Sequence, residues 1–293
     1  MQKIIAFFMA IIMFFAQLFG IKPIKKFQNI SYGADKNQSI SLTIPYNAKG
    51  DYGMMVFIHG GGWTGGNKEE YWGMTKAAAQ DYGIVGLTIG YRLLTEGGDV
   101  DFNTMMSDIQ KAIEKAIEKS AQEGVNITKI GIGGYSAGGH LSLSYAYKCV
   151  DECPVPIKFV FTDAGPTDMN DPNWLGDDIV FSQDYVVAVV SELTNTNITL
   201  ENKDSEESKA ALAAVSPISY ITPSSVPTII VHGKKDNVVP FSNAESLDEA
   251  LTFNGVQHEF FILENSDHGL SNDPEIRNAA TQKLENYVNT YLK

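Results

Sequence analysis

Residues 129–140 read KIGIGGYSAGGH: a short apolar run, then Gly134, Tyr135, Ser136, Ala137 and Gly138, then an apolar segment compatible with a helix. G-x-S-x-G in that setting marks a serine held at a strained strand-to-helix turn. Glycine is needed two residues away on either side, because a side chain there collides as strand and helix close on each other. The helix that follows presents its N-terminus to Ser136 and favours negative charge developing there. Without the flanking strand and helix the five residues are only a glycine-rich turn; with them, they point to a nucleophile.

The other apolar segments repeat this local grammar. Residues 54–59 (MMVFIH), 84–91 (IVGLTIGY), 157–164 (IKFVFTDA) and 227–233 (PTIIVHG) are short, nearly continuous apolar runs. Such runs suit strands buried on both faces, which means a parallel sheet covered by helices. Residues 39–45 (SISLTIP) instead alternate polar and apolar, the pattern of a strand with one solvated face. Between the runs, 102–119 places Phe102, Met105, Met106, Ile109, Ile113, Ala116 and Ile117 at spacings of three and four, an amphipathic helix capped by Asp101 or Asp99. The alternation continues through 243–253 and ends in a helix near 275–291. The fold class is therefore α/β, a three-layer sandwich with a mostly parallel sheet.

A length of 293 residues suggests two domains at about 150 residues each. Absence of a linker makes 21–293 a single catalytic domain, with 165–210 standing out: this stretch is rich in Asp, Asn, Gly and Pro, carries Trp174, and has one apolar run at 185–190. An insertion of that length reads as a cap over the site or as a decorated surface loop. Residues 4–20 (IIAFFMAIIMFFAQLFG) are apolar but for Gln17 and follow Lys3, the composition of a signal peptide. The segment is also near the minimum length of an uncleaved membrane anchor, and no small-x-small cleavage site stands out. Either way the protein is expected outside the cytoplasm, secreted or tethered.

Net charge of −13 argues against nucleic-acid partners, whose phosphates require a clustered basic face. Cys149 and Cys153 close a local disulfide or remain free thiols; with no histidine at ligand spacing they form no metal site.

A serine hydroxyl needs a base, an oxyanion hole and an acid. Residues 57–66 (FIHGGGWTGG) end a buried strand, and consecutive glycines let backbone amides point into a pocket unobstructed; Gly61 and Gly62, with Ala137, are the expected donors. The loop lacks the endings of phosphate-binding loops. Of five histidines, His59 belongs to the glycine loop, His140 faces packing after Ser136, His232 ends a strand and His258 lies within one. His268, in a polar loop after the last apolar strand, is the expected base, with His258 behind it. Asp236, a short turn after 227–233, is the expected orienting acid; Asp267 is too close in sequence to face its neighbour. Asp163 and Asp168 line the substrate pocket or cap the following turn.

Together HGGGW, Tyr91-Arg92, GYSAGG, HGKKDNVVP and DHG, in this order, resemble the α/β-hydrolase esterases related to hormone-sensitive lipase, closest to the secreted bacterial branch that removes acyl groups from carbohydrates. The resemblance spans about 40–290 and implies Ser136 as nucleophile, His268 as base and Asp236 as acid, with Tyr91, Arg92 and Asp108 structural. Residues 165–210 depart from the family pattern. The implied reaction is hydrolysis of short acyl esters, acetyl or feruloyl groups on plant polysaccharides among them, through an acyl-enzyme and with no metal or organic cofactor. Trp63 and Trp174 are candidate substrate contacts; with Tyr71 and Trp72 they offer flat faces to sugar rings or serve as packing. An amidase such as an arylformamidase, a peptidase, or a binding protein on a disabled hydrolase scaffold are the alternatives.

Overall fold

The computed structural model describes residues 22–293, so the apolar leader at 4–20 lies outside the described residues. Among those described, no helix is long and apolar enough to cross a membrane. Eight strands form one sheet: β1 (Ile24–Ser31), β2 (Ser39–Pro45), β3 (Gly50–Ile58), β4 (Val85–Ile89), β5 (Val125–Tyr135), β6 (Ile157–Asp163), β7 (Thr228–Gly233) and β8 (His258–Leu263). Their order is β1-β2-β4-β3-β5-β6-β7-β8. β1 and β2 pair antiparallel, as do β2 and β4, and every pairing from β4 to β8 is parallel.

Buried Val, Ile, Leu and Phe on both sides of the parallel strands require helices on both sides. α2 (Phe102–Gln122), α3 (Ala137–Lys148) and α6 (Phe241–Phe253) supply one face, burying Met105, Ile109, Leu141, Leu143, Leu247 and Leu251 against it. α1 (Trp72–Gln80) and α7 (Pro274–Tyr287) supply the other, with Ala78, Ala280 and Tyr287. This is the expected three-layer α/β sandwich. α2 follows its predicted apolar stripe, and of the two candidate caps Asp101 is used, its side chain accepting from the Thr104 amide at 2.7 Å.

One expectation fails. β2 has no solvated face: Ser41 and Thr43 are as buried as Ile40 and Leu42. β2 is not an edge strand, because β1 covers its outer side, and α1 lies over the face that Ser41 and Thr43 occupy. The Thr43 hydroxyl satisfies itself by donating to the Thr75 carbonyl of α1 at 2.5 Å, so a buried hydroxyl costs little there.

Strand order reverses between β3 and β5, which are adjacent and in register at Ile58 and Gly134. Loops leaving the carboxyl ends of such neighbours diverge and open a crevice, the general ligand position in open α/β sheets. β7 and β8 end level with each other at Gly233 and Leu263, so the loops bearing Asp236 and His268 start side by side on the same edge. Asp108, fully buried on α2, accepts from the Arg92 guanidinium at 2.7 and 2.9 Å, the Arg92 amide at 3.0 Å and Gln38 at 2.8 Å. That fully paired carboxylate anchors the turn after β4, a structural role as the resemblance implies.

His140, on α3, is completely buried; its Nδ1 accepts from the Trp63 indole at 3.1 Å and its Nε2–H donates to the Val215 carbonyl at 2.7 Å. Burial pushes its pKa down to about 4 from 6.5, partly countered by the bond to Val215. The folded state thus refuses a proton that the unfolded chain accepts below about 6.5. Stability from this group is complete above that pH and is lost as pH falls toward 4. Between pH 7 and 5 the loss amounts to about 2 kcal/mol. His140→Gln is expected to have a lower unfolding free energy at pH 7 but a flatter decline to pH 5, measured by urea titration at each pH; an unchanged slope contradicts the assignment.

Candidate active site

Ser136 occupies a left-handed backbone position, φ 55° and ψ −126°. Such a conformation in a residue with a side chain is strained and survives only where its surroundings enforce it. Here they do: the Ser136 amide donates to the Asp163 carbonyl at 2.8 Å, and the Ser136 carbonyl accepts from the His140 amide at 3.0 Å, the first turn of α3. The flanking glycines are required by contact. A Cβ on Gly134 would lie 2.3 Å from the Ile58 carbonyl oxygen, and one on Gly138 only 2.1 Å from the same oxygen. The elbow therefore rests directly on the end of β3, where the glycine loop begins.

That loop holds Gly61 at φ 107° and Gly62 at φ 58°. The Gly61 carbonyl accepts from Thr64 and Gly65 at 3.2 and 2.9 Å, which turns the chain back and leaves the Gly61 and Gly62 amides outside the loop's own hydrogen bonds. His59 orders the loop. Its Nδ1–H donates to the Gly60 carbonyl at 2.8 Å, its ring stacks on Tyr91 at 4.4 Å, and the Tyr91 hydroxyl donates back to its carbonyl at 3.0 Å. Burial lowers the His59 pKa and keeps the ring neutral. Ala137, the first residue of α3, brings the third amide at a helix N-terminus.

His268 Nε2 lies 3.0 Å from Ser136 Oγ, and Nδ1 lies 2.8 Å from Asp236 Oδ2. The loops carrying them are tied together: the Lys234 amide donates to Leu263 and the Lys235 amide to Ser266, at 2.9 and 3.0 Å. Buried Ser266 is held in turn by Asp273 at 2.7 Å, and the Tyr135 hydroxyl fixes the His268 carbonyl at 2.9 Å. The Asp236 carboxylate is shielded from solvent and fully employed: Oδ1 accepts from the Val238 and Val239 amides, each at 2.9 Å, while Oδ2 also faces His232 Nε2 at 3.2 Å. Burial acts to raise its pKa, but hydrogen bonds from His232 and His268 outweigh it and hold the carboxyl well below the usual range. An ionised acceptor that keeps Nδ1 protonated leaves Nε2 free to take the Ser136 proton.

The other sequence candidates go elsewhere. His258 pairs with Asp248 at 3.0 Å on α6, and the Asp267 carboxylate accepts from the Gly269 amide. Asp163 pairs with Arg277 at 2.6 Å, and Asp168 caps its own turn through the Asn170 amide at 2.9 Å. Trp63 lines the cavity at Ser136 while its indole N–H is spent on His140; Trp174 lines the same cavity. Tyr71 is core, stacked on Phe57 at 5.4 Å. Cys149 and Cys153 are free thiols, and no cluster of metal-ligating side chains occurs among the described residues.

From residues 165–210, helix α4 (Gln183–Thr194) lines the space at Ser136, and α5 (Glu206–Ala214) packs on α4 rather than on the serine. The space is an apolar cavity of about 70 Å³ that opens on Ser136 and is walled by Pro166, Met169, Val186 and Val190. Phe181 and Tyr185, 43% and 44% exposed, pair at 5.0 Å along its wall. Sequence reasoning missed this pair, and His232 as well. The four-residue spacing of His232 and Asp236 across a strand end was the available signal for the latter.

Reactivity at this serine is measurable with a fluorophosphonate probe. Wild-type protein is expected to be labelled at Ser136, and Asp236→Asn to slow labelling by roughly 10³–10⁴, since the wrong tautomer is then favoured. His232→Phe removes one hydrogen bond to the carboxylate and is expected to slow it about tenfold; an unaffected rate would make His232 mere packing.

Comparison with known proteins agrees with this architecture. A carbohydrate esterase from gut microbiota, in truncated form, superposes with a TM-score of 0.70 at 19% identity, covering 90% of this chain and 96% of that one. Esterase B from Lactobacillus rhamnosis gives a TM-score of 0.68 at 18% identity over 90% of this chain and 85% of that one. In sequence, kynurenine formamidase from Salmo salar is 25% identical over 114 residues, 39% of this chain and 36% of that protein; the chain spans less than half the length of the curated relatives it matches. The BD-FAE family model matches residues 40–251, well over half of the sequence and inclusive of the glycine loop, Ser136 and Asp236. The chain belongs to the BD-FAE family, on the α/β-hydrolase fold.

Proposed function

We propose that this protein is a serine carboxylesterase acting on short-chain acyl esters, with Ser136, His268 and Asp236 as its triad and the amides of Gly61, Gly62 and Ala137 as its oxyanion hole. The observation that carries the reading is the continuous hydrogen-bond chain from Asp236 through His268 to Ser136 Oγ at the mouth of a small apolar pocket. Ser136 Oγ bonds to the ester carbonyl carbon as its proton passes to His268 Nε2. The carbonyl electrons move to oxygen and are held by the three amides. Collapse breaks the bond to the alcohol, which leaves with the proton from His268. Water then attacks the acyl-enzyme, giving its proton to His268; the carboxylic acid departs and the proton returns to Ser136.

Pocket size bears on the acyl group. About 70 Å³ is room for roughly five waters, which favours a short acyl group such as acetyl through butyryl. Short-chain acyl esters are therefore the favoured class. The alcohol, by this reading a sugar of a plant polysaccharide, rests at the exposed faces of Phe181 and Tyr185, where the cap opens. Carbohydrate-esterase structural relatives support that class. Export on the apolar residues 4–20, with cleavage or with retention as a tether, belongs to the same proposal.

Purified residues 21–293 are expected to hydrolyse p-nitrophenyl acetate and butyrate, with kcat/KM for Ser136→Ala lower by at least about 10⁴, and to release acetate from acetylated xylan. Equal inactivity of wild type and variant on these esters overturns the reading. Turnover of N-formylarylamines in their place points to the formamidase alternative, which the sequence match to kynurenine formamidase favours.

A further inference from the structure

The cap encloses two cavities, and the one at Ser136 is the smaller. A second, of about 630 Å³, lies between α4, α5 and the turn Pro172–Leu175 and does not reach Ser136. Its lining is mostly apolar, with Leu175, Val187, Ile198 and Leu212, but includes buried Asp171, whose carboxylate accepts from Ser242 and Asn243, and the exposed charges of Asp204, Glu206 and Lys209 stand around it. Met169, Trp174, Val186 and Val190 line both spaces, so these four side chains are the wall between them. Val186 and Val190 sit one helical turn apart on α4 and present one face. Trp174 is the largest of the four, and its indole is pinned by donation to the Asp168 carbonyl at 2.8 Å. Met169 is held beside it, its amide donating to the Ser216 hydroxyl at 2.8 Å.

We propose that Trp174 sets the acyl-chain length: it closes the small pocket at Ser136 against an apolar chamber that is large enough for a medium-length chain. The inference rests on the ester-hydrolase reading and deepens it. An acyl group bound to Ser136 lies in the pocket that ends at Trp174 and Met169; a longer chain meets the indole, loses burial and is turned over poorly. With the indole removed, the same chain continues into the chamber past Leu175 and Leu212. The charged surround stays in water and does not oppose entry, since the chain enters from the site side.

The test is kcat/KM on p-nitrophenyl acetate, butyrate and octanoate for wild type, Trp174→Ala, Trp174→Phe and Met169→Ala. The octanoate-to-acetate ratio is expected to rise roughly 10- to 100-fold in Trp174→Ala, because the added methylenes become buried. Trp174→Phe, which keeps most of the wall, is expected to stay near wild type. Ala213→Phe, filling the chamber from its far side in the Trp174→Ala background, is expected to cancel the gain. If Trp174→Ala does not fold, Met169→Ala thins the same wall, and a several-fold rise in the ratio supports the proposal. An unchanged octanoate-to-acetate ratio in the folded wall variants overturns it, while acetate turnover by the wild type leaves the esterase reading standing. Wild type inactive on every ester, with no ratio to compare, is instead the failure of that reading.

Discussion

Bare backbone against bare backbone, where Gly134 and Gly138 meet the carbonyl oxygen of Ile58, is the contact on which the site depends. No room exists for a Cβ at either glycine. The approach forces β5 to turn within a single residue, which leaves Ser136 at positive φ. It also sets the glycine loop at the end of β3 immediately beside the serine. Strain at Ser136 is compensated by hydrogen bonds to Asp163 and His140 on either side, and by the sheet pairing that holds β3 and β5 in register. One steric constraint thus positions the proposed nucleophile and oxyanion donors together, which is what a preorganised site requires.

The proposed base and its acid are positioned by different means. Neither is strained; each sits on a loop held by polar contacts, His268 by Tyr135 and the Ser266–Asp273 pair, Asp236 by the Val238 and Val239 amides. A buried carboxylate is costly unless every lone pair is engaged, and here the backbone and two histidines engage them. The second histidine, His232, is buried and donates from Nε2, shared with the Val239 carbonyl at 3.1 Å. It stiffens the carboxylate without approaching the serine. The cap is bound to the same edge. Its Val180 amide donates to the Asn237 carbonyl, next to Asp236, at 2.9 Å, and buried Asn243 of α6 receives the Thr167 amide at 2.8 Å. The cap segment and the loop carrying Asp236 are thus joined by hydrogen bonds.

Much of this was legible in the sequence because its signals are local. The elbow, the glycine loop and the apolar strand runs each span about ten residues, and a parallel sheet converts strand ends into neighbours without further information. His268 and Asp236 could be read from their places just beyond two strand ends, and the sheet brings those ends level. What was not legible depends on contacts between distant segments. The alternation of 39–45 reads as a half-exposed strand, yet α1 covers Ser41 and Thr43. Asp163 reads as a pocket residue or a turn cap, and Arg277, more than a hundred positions later, takes it. The apolar run at 185–190 is visible in the sequence, but what it faces is not: that Phe181, Tyr185 and Trp174 line the space at Ser136 depends on α4 folding back from a distant segment.

A covalent acyl group on Ser136 is the species that separates this account from a binding role or a non-covalent mechanism on the same fold. Intact-protein mass spectrometry during steady-state turnover of p-nitrophenyl acetate, with quenching in acid and peptide mapping, looks for it directly. The account predicts a mass gain of one acetyl group, mapped to the peptide containing Ser136, absent from Ser136→Ala and formed far more slowly when His268 is replaced by Ala. Product release with no acetylated protein at any time, or acetylation mapped to another side chain, would contradict it.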